Sequence, residues 1–93
     1  MLADAIVHPR ANERHPELTE QDVLDAWEAC IKYAPRMDRE NDEVIAVGMD
    51  SRGRLLEMIA RRIENGSFVI FHAFTPPTKK ALFELGFTKR RDS

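Results

Sequence analysis

Two tight-turn signals, at residues 50–54 and 65–66, limit what this chain can fold into. Asp50-Ser51-Arg52-Gly53-Arg54 separates the apolar run 44–49 from the run 55–63, and Asn65-Gly66 separates that run from 68–74. Glycine at the end of a three-residue loop supplies the positive φ that closes a bulged hairpin, and Asn-Gly is the strongest short signal for a two-residue hairpin turn. Residues 43–74 are therefore predicted to form a compact antiparallel meander of three strands.

The turns also predict a register. A three-residue loop at 51–53 sets Asp50 opposite Arg54, Ala46 opposite Met58, Val47 opposite Glu57 and Glu43 opposite Arg61. A two-residue loop at Asn65-Gly66 sets Glu64 opposite Ser67, Ala60 opposite Phe71 and Ile59 opposite His72. Opposed residues share a face. One face then carries Val44, Ala46, Leu56, Met58, Ala60, Val69, Phe71 and Ala73, the expected core side. The other carries Glu43, Val47, Glu57, Ile59, Arg61, Ile70, His72 and Phe74, the face on which chemistry is expected.

Around the meander, residues 1–7 read as a lead-in or edge strand, making a fourth strand if they join the sheet. Residues 8–35 read as helical. Arg10 to His15 form a polar turn between Pro9 and Pro16, and 19–34 is the clearest helix. Thr19 is its N-cap, Glu20 and Asp22 suit its positive end, and Val23, Ala26, Trp27, Cys30, Ile31 and Ala34 mark one face. Cys30 lies in that stripe with no flanking cation to lower its pKa, so it reads as packing rather than as a nucleophile. A charged linker spans 36–42. A last helix is expected at 76–87, capped by Thr75 or Thr78, with Ala81, Leu82 and Leu85 inward and Gly86 just past its end. Residues 88–93 form a basic tail. The fold class is α+β in one domain spanning 1–93: N-terminal helices on an antiparallel meander, then a C-terminal helix.

Composition narrows function more by exclusion than by pointing. The net charge is −2, yet residues 1–50 hold five Lys/Arg against twelve Asp/Glu, and residues 51–93 hold nine against four. The basic half is thus able to present a positive surface to nucleic acid despite the acidic total. No apolar run approaches the roughly 20 residues of a membrane span, and no charged-then-apolar leader appears. A single cysteine and no leader lead us to expect a cytoplasmic location. No phosphate-binding loop, dinucleotide fingerprint or zinc-ligand spacing is present, and His8, His15 and His72 have no metal-ligand spacing. No cofactor and no metal are expected.

Two stretches carry a family resemblance. HPRANERH at 8–15 followed by LTEQDV at 18–23 is one. The other runs from GRLL at 53–56 through Arg61-Arg62 to FHAFTPPTKK at 71–80. Together they resemble RelE-type toxins, most closely the BrnT-like toxins and their small relatives, over most of residues 8–87. The resemblance implies a RelE-like fold and a bacterial toxin that cleaves RNA, inhibits translation and is neutralised by a small antitoxin protein.

Acid–base RNA cleavage needs a base for the 2′-hydroxyl, an acid for the leaving oxygen and positive charge for the transition state. His72 is the first candidate, because histidine is the side chain built for proton transfer near neutral pH. Glu57 is its partner and Arg61 a bidentate phosphate grip, these three forming the catalytic set. Lys79 and Lys80 are expected to hold phosphate at the helix start, with Arg54 and Arg14 on the RNA backbone further out. The alternative is a protein-interaction module, a homodimer or antitoxin-like contact, on a solvent-open patch of Val47, Ile59, Ile70 and Phe74.

Overall fold

The computed structural model describes residues 4–36 and 42–87. The basic tail 88–93, the first three residues and most of the expected linker lie outside the described residues. Five strands and two helices follow in order: β1 (Ala5–Val7), α1 (Glu20–Glu28), β2 (Cys30–Pro35), β3 (Glu43–Met49), β4 (Leu55–Arg62), β5 (Phe68–Phe74) and α2 (Lys79–Glu84). The sheet order is β1-β5-β4-β3-β2. β1 lies parallel to β5 and every other pairing is antiparallel. The class is α+β, as expected, but the sheet is mixed and five-stranded rather than an antiparallel sheet of three or four.

The extra strand comes from the predicted helix 19–34. The helix ends at Glu28, and Cys30–Pro35 turns back as β2 along β3. The apolar spacing of Cys30, Ile31 and Ala34 suits a helix, but the β-branched and aromatic residues Ile31 and Tyr33 favour a strand. Gly48 makes the reversal physically possible. A Cβ there would lie 1.9 Å from the Ala26 carbonyl oxygen and 3.2 Å from that of Ala29. The end of α1 therefore rests directly on the β3 backbone. Residues 8–18 are likewise turns rather than helix. They run along β5 beyond β1: the His8 amide donates to the Ile70 carbonyl at 2.8 Å, the Ala73 amide donates to the Ala11 carbonyl at 2.9 Å, and the Asn12 side chain donates to the Leu18 carbonyl.

The first hairpin forms as expected. Gly53 N–H donates to Asp50 O and Asp50 N–H to Arg54 O, and the register of β3 on β4 matches the sequence-based one throughout. The second departs from it. Ile63 and Ser67 flank a three-residue loop in which Gly66 carries a φ of 88° and Asn65 does not take positive φ. A two-residue Asn-Gly turn of type I′ would need both. The Asn65 side chain instead accepts the Ser67 amide at 2.9 Å.

The longer turn shifts the pairing by one, and a bulge shifts it back. Ala60 faces Ile70 and Arg61 faces Val69, but Ile59 faces His72 as expected, so Phe71 is the extra residue. Below the bulge the faces exchange. Phe68 and Ile70 enter the core in place of Val69 and Phe71, and Phe68 packs on Trp27 with ring centroids 5.4 Å apart.

Helices cover both sides of the sheet. α1 seals Val44, Ala46, Leu56, Met58, Ala60, Phe68, Ile70 and Ala73 beneath Val23, Ala26 and Trp27. α2 lays Ala81 and Leu85 over Ile45 and Val47, with Ile59 at the margin. The expected solvent-open patch is therefore absent: Val47 and Ile70 are buried, and Ile59 and Phe74 are partly covered. Burying Val47, and covering Ile59 in part, beside a charged row is what the short, sharply capped α2 accomplishes. Its end is a complete Schellman motif, with Phe87 N–H on Leu82 O, Gly86 N–H on Phe83 O and Gly86 at φ 81°.

Gly48→Ala tests the helix-on-strand contact. The methyl group meets backbone rather than a movable side chain, so α1 must shift. Stability should fall by about 1–3 kcal/mol, the usual cost of overpacking, read as a lower urea midpoint.

Candidate functional site

The Phe71 bulge aims the site. Without it, the register of the three-residue turn would carry His72 to the α1 side of the sheet. With it, His72 stands on the α2 side, diagonal to Glu57, which faces Phe74. Diagonal neighbours across a strand pair are within reach of long side chains. The His72 ring meets Glu57: Nε2 lies 2.8 Å from Oε2. Because an ionised carboxylate only accepts, Nε2 carries the hydrogen, and Nδ1 is the lone-pair nitrogen of the neutral ring. Nδ1 has no hydrogen-bond partner among the described residues. The ring also stacks on Phe74, centroids 5.7 Å apart and planes within 7°.

Glu57 is buried, and its second oxygen is committed. The Thr78 amide and hydroxyl donate to Oε1 at 2.8 and 2.9 Å, while Thr78 Oγ1 accepts the Ala81 amide and so caps α2. Burial pushes the Glu57 carboxyl up, but the bonds from His72 and Thr78 outweigh it and hold the group below its ordinary value. One carboxylate therefore orients the imidazole and fastens the last helix.

At the helix start the chain supplies its own anion: the amide of Thr78, the N-cap, donates to Glu57, and the Ala81 amide donates to the Thr78 hydroxyl. Lys80 nonetheless lines a hollow of about 250 Å³ with Glu57, His72, Thr78 and Arg36. Lys79 is exposed and lies outside its lining. Arg36 is spoken for: Nε and Nη2 each reach Glu84 at 3.2 Å, and Nη1 lies 3.6 Å from Glu43. Nothing in its sequence surroundings, a charged segment after Pro35, signals that pairing.

Two of the remaining candidates, Arg61 and Arg54, are placed apart from this centre. Arg61 pairs with Glu43 at 3.2 Å, as its register position implies, and its guanidinium sits 5.3 Å from the Phe71 ring centroid. It does not line the hollow with His72 and Lys80. Arg54 is on the α1 side of the sheet, donating to Asp50 at 2.8 Å and to Asp22 at 3.1 Å. Asp50 is buried. Burial pushes its carboxyl up, and the Arg54 and Arg52 amides and the Arg54 guanidinium more than offset that, leaving it lowered. Arg14 stands in the 8–14 turn beside β5. It lines a second hollow of about 370 Å³ that shares His72 with the first. Cys30 is an unpaired thiol bonded to the Lys32 carbonyl, and burial pushes it up, away from reactivity. Among the described residues no group of three or more His, Cys, Asp or Glu side chains converges as metal ligands would, and no helix is long and apolar enough to cross a membrane.

The sign of the pH dependence follows from Glu57. A carboxyl lowered in the fold stabilises it fully above the ordinary carboxylate range, and that stability is lost as pH falls through the lower folded value. Glu57→Gln should flatten the acid side of a plot of urea stability against pH between 7 and 3. Glu57→Ala, which strands the Thr78 amide and hydroxyl, should cost about 1–3 kcal/mol at pH 7.

No protein-family model, no curated protein and no solved structure matches this chain.

Proposed function

We propose that this chain is a RelE-type, toxin-like ribonuclease that cleaves RNA by acid–base chemistry at His72. The observation that carries the reading is the Glu57–His72 pair, a buried carboxylate aiming a half-exposed imidazole into a hollow beside Lys80. A fixed carboxylate on one ring nitrogen leaves the other as the base. Nδ1 takes the 2′-hydroxyl proton, the 2′-oxygen attacks the adjacent phosphorus, and the 5′-oxygen departs with a proton from solvent in the open hollow. Glu57 positions the ring and stabilises the imidazolium that forms. Lys80 offsets charge on the phosphorane-like transition state. The resemblance of residues 8–23 and 53–80 to BrnT-like toxins supports the same reading, and with it a RelE-like scaffold and a small antitoxin partner that would mask the hollow.

A second reading, an interaction module, is favoured by one observation. β2 is an edge strand, and its Ile31 and Tyr33 are 55% and 53% exposed. Such an edge suits a second copy of the chain or a partner strand.

The two part company in one experiment. Purified protein is incubated with end-labelled RNA, beside His72→Ala and Lys80→Ala, and the same three genes are expressed in a bacterial host. The ribonuclease reading expects cleavage and growth arrest from the parent chain, about 100-fold or more loss of cleavage in His72→Ala, and a smaller loss in Lys80→Ala. Intact RNA with healthy growth, and elution as a nucleic-acid-free dimer, would leave the interaction module standing instead.

A further inference from the structure

We infer that the hollow between residues 10–14 and β5 is a subsite for one nucleotide of single-stranded RNA, next to the reacting phosphate. The inference rests on the ribonuclease reading only for which strand it serves; the subsite itself stands on its own walls. β1 stops at Val7, so the outer edge of β5 from Phe71 onward faces the 8–14 turn instead of a strand. A single backbone bond, Ala73 N–H to Ala11 O, crosses that gap. The space left is about 370 Å³, lined by Arg10, Glu13, Arg14, Phe71, His72 and Phe74 among others. That is within the size of small-ligand sites and near their lower end, suited to one nucleotide rather than a longer segment.

The wall chemistry is that of a single-strand binding groove, aromatic rings beside cations. Phe71 and Phe74 stand in this wall already in ring contacts, Phe71 with the Arg61 guanidinium 5.3 Å from its centroid and Phe74 with the His72 and His15 rings at 5.7 and 4.3 Å, so a base would extend an existing stack. Arg10 is answered by Glu13 at 2.9 Å, whereas Arg14 has no ion-pair partner among the described residues and is the group left to meet a phosphate. Both aromatic residues reach this edge because of the bulge: Phe71 is the extra residue, and Phe74 follows two after His72. His72 lines both hollows, so a strand with its base against Phe71 and Phe74 brings the neighbouring phosphate toward Lys80. Because every base has a stacking face, the subsite takes a single strand without selecting its sequence.

The test uses an uncleavable probe, so that binding and cleavage are read separately. A fluorescein-labelled 2′-O-methyl oligouridylate is titrated with the full chain, and its anisotropy gives Kd; inorganic phosphate is the control competitor and uridine 5′-monophosphate the test competitor. The expected result is binding displaced by the nucleotide at concentrations where phosphate fails, with Kd raised about tenfold or more in Arg14→Glu and in Phe71→Leu. Arg14 is exposed, so its variant decides the matter if Phe71→Leu does not retain the parent circular dichroism spectrum. Folded variants that bind like the parent overturn the subsite, as does a probe that does not bind or is displaced equally by phosphate; cleavage lost in His72→Ala would then still leave the ribonuclease reading intact. Binding that depends on Arg14 and Phe71 in a chain that cuts no RNA does the reverse, supporting the subsite and removing the nuclease.

Discussion

The two oxygens of Glu57 join parts of the chain that follow one another through a proline-rich turn. One meets His72 on β5, and the other meets Thr78 at the start of α2. Six residues of helix hold little structure alone, since a nucleus of that length is unfavourable in water. The carboxylate at its positive end and the burial of Ala81 and Leu85 keep it on the sheet. Arg36 bound to Glu84 does the same at the other end. The hollow beside His72 exists because α2 is pinned at both ends and bridges the sheet between them.

The α1 side of the sheet repeats the arrangement with other residues. Asp22 completes a capping box with Thr19 and also receives Arg54, whose guanidinium is shared with buried Asp50 in the first hairpin. Helix start and hairpin are again tied through carboxylates accepting amides and a guanidinium. The bonds from Thr19 lower Asp22 most, burial opposing them. Acidic residues that look like a negative surface in the sequence are, at these positions, internal acceptors.

Two errors of one residue cancel in β5. The turn is a residue longer than Asn-Gly suggests, and Phe71 is a residue in excess. Between them, residues 68–70 point the opposite way from the expected one, while 72–74 point as expected. The burial of Phe68 and Ile70 against Trp27 fixes the first part, and the bond between His72 and Glu57 accompanies the second. A bulge of this sort lets one strand satisfy a core on one stretch and a polar pair on the next.

What the residues determined unaided was local. Gly53 with Asp50 specifies the first hairpin and hence the Glu43–Arg61 and Val47–Glu57 pairings, because a turn and its register depend on a few adjacent residues. Thr19 and Thr78 mark both helix starts, and Gly86 marks an end, for the same reason. The candidate base was legible as a histidine in a strand beside a carboxylate two places along the partner. Tertiary structure alone decided the rest: β2 in place of the last helical turns, because Gly48 admits the end of α1; the commitment of Glu57 to α2; and the approach of Arg14 to His72 around a short β1. Each is a contact between segments distant in sequence, made where burial and hydrogen bonding outweigh local propensity.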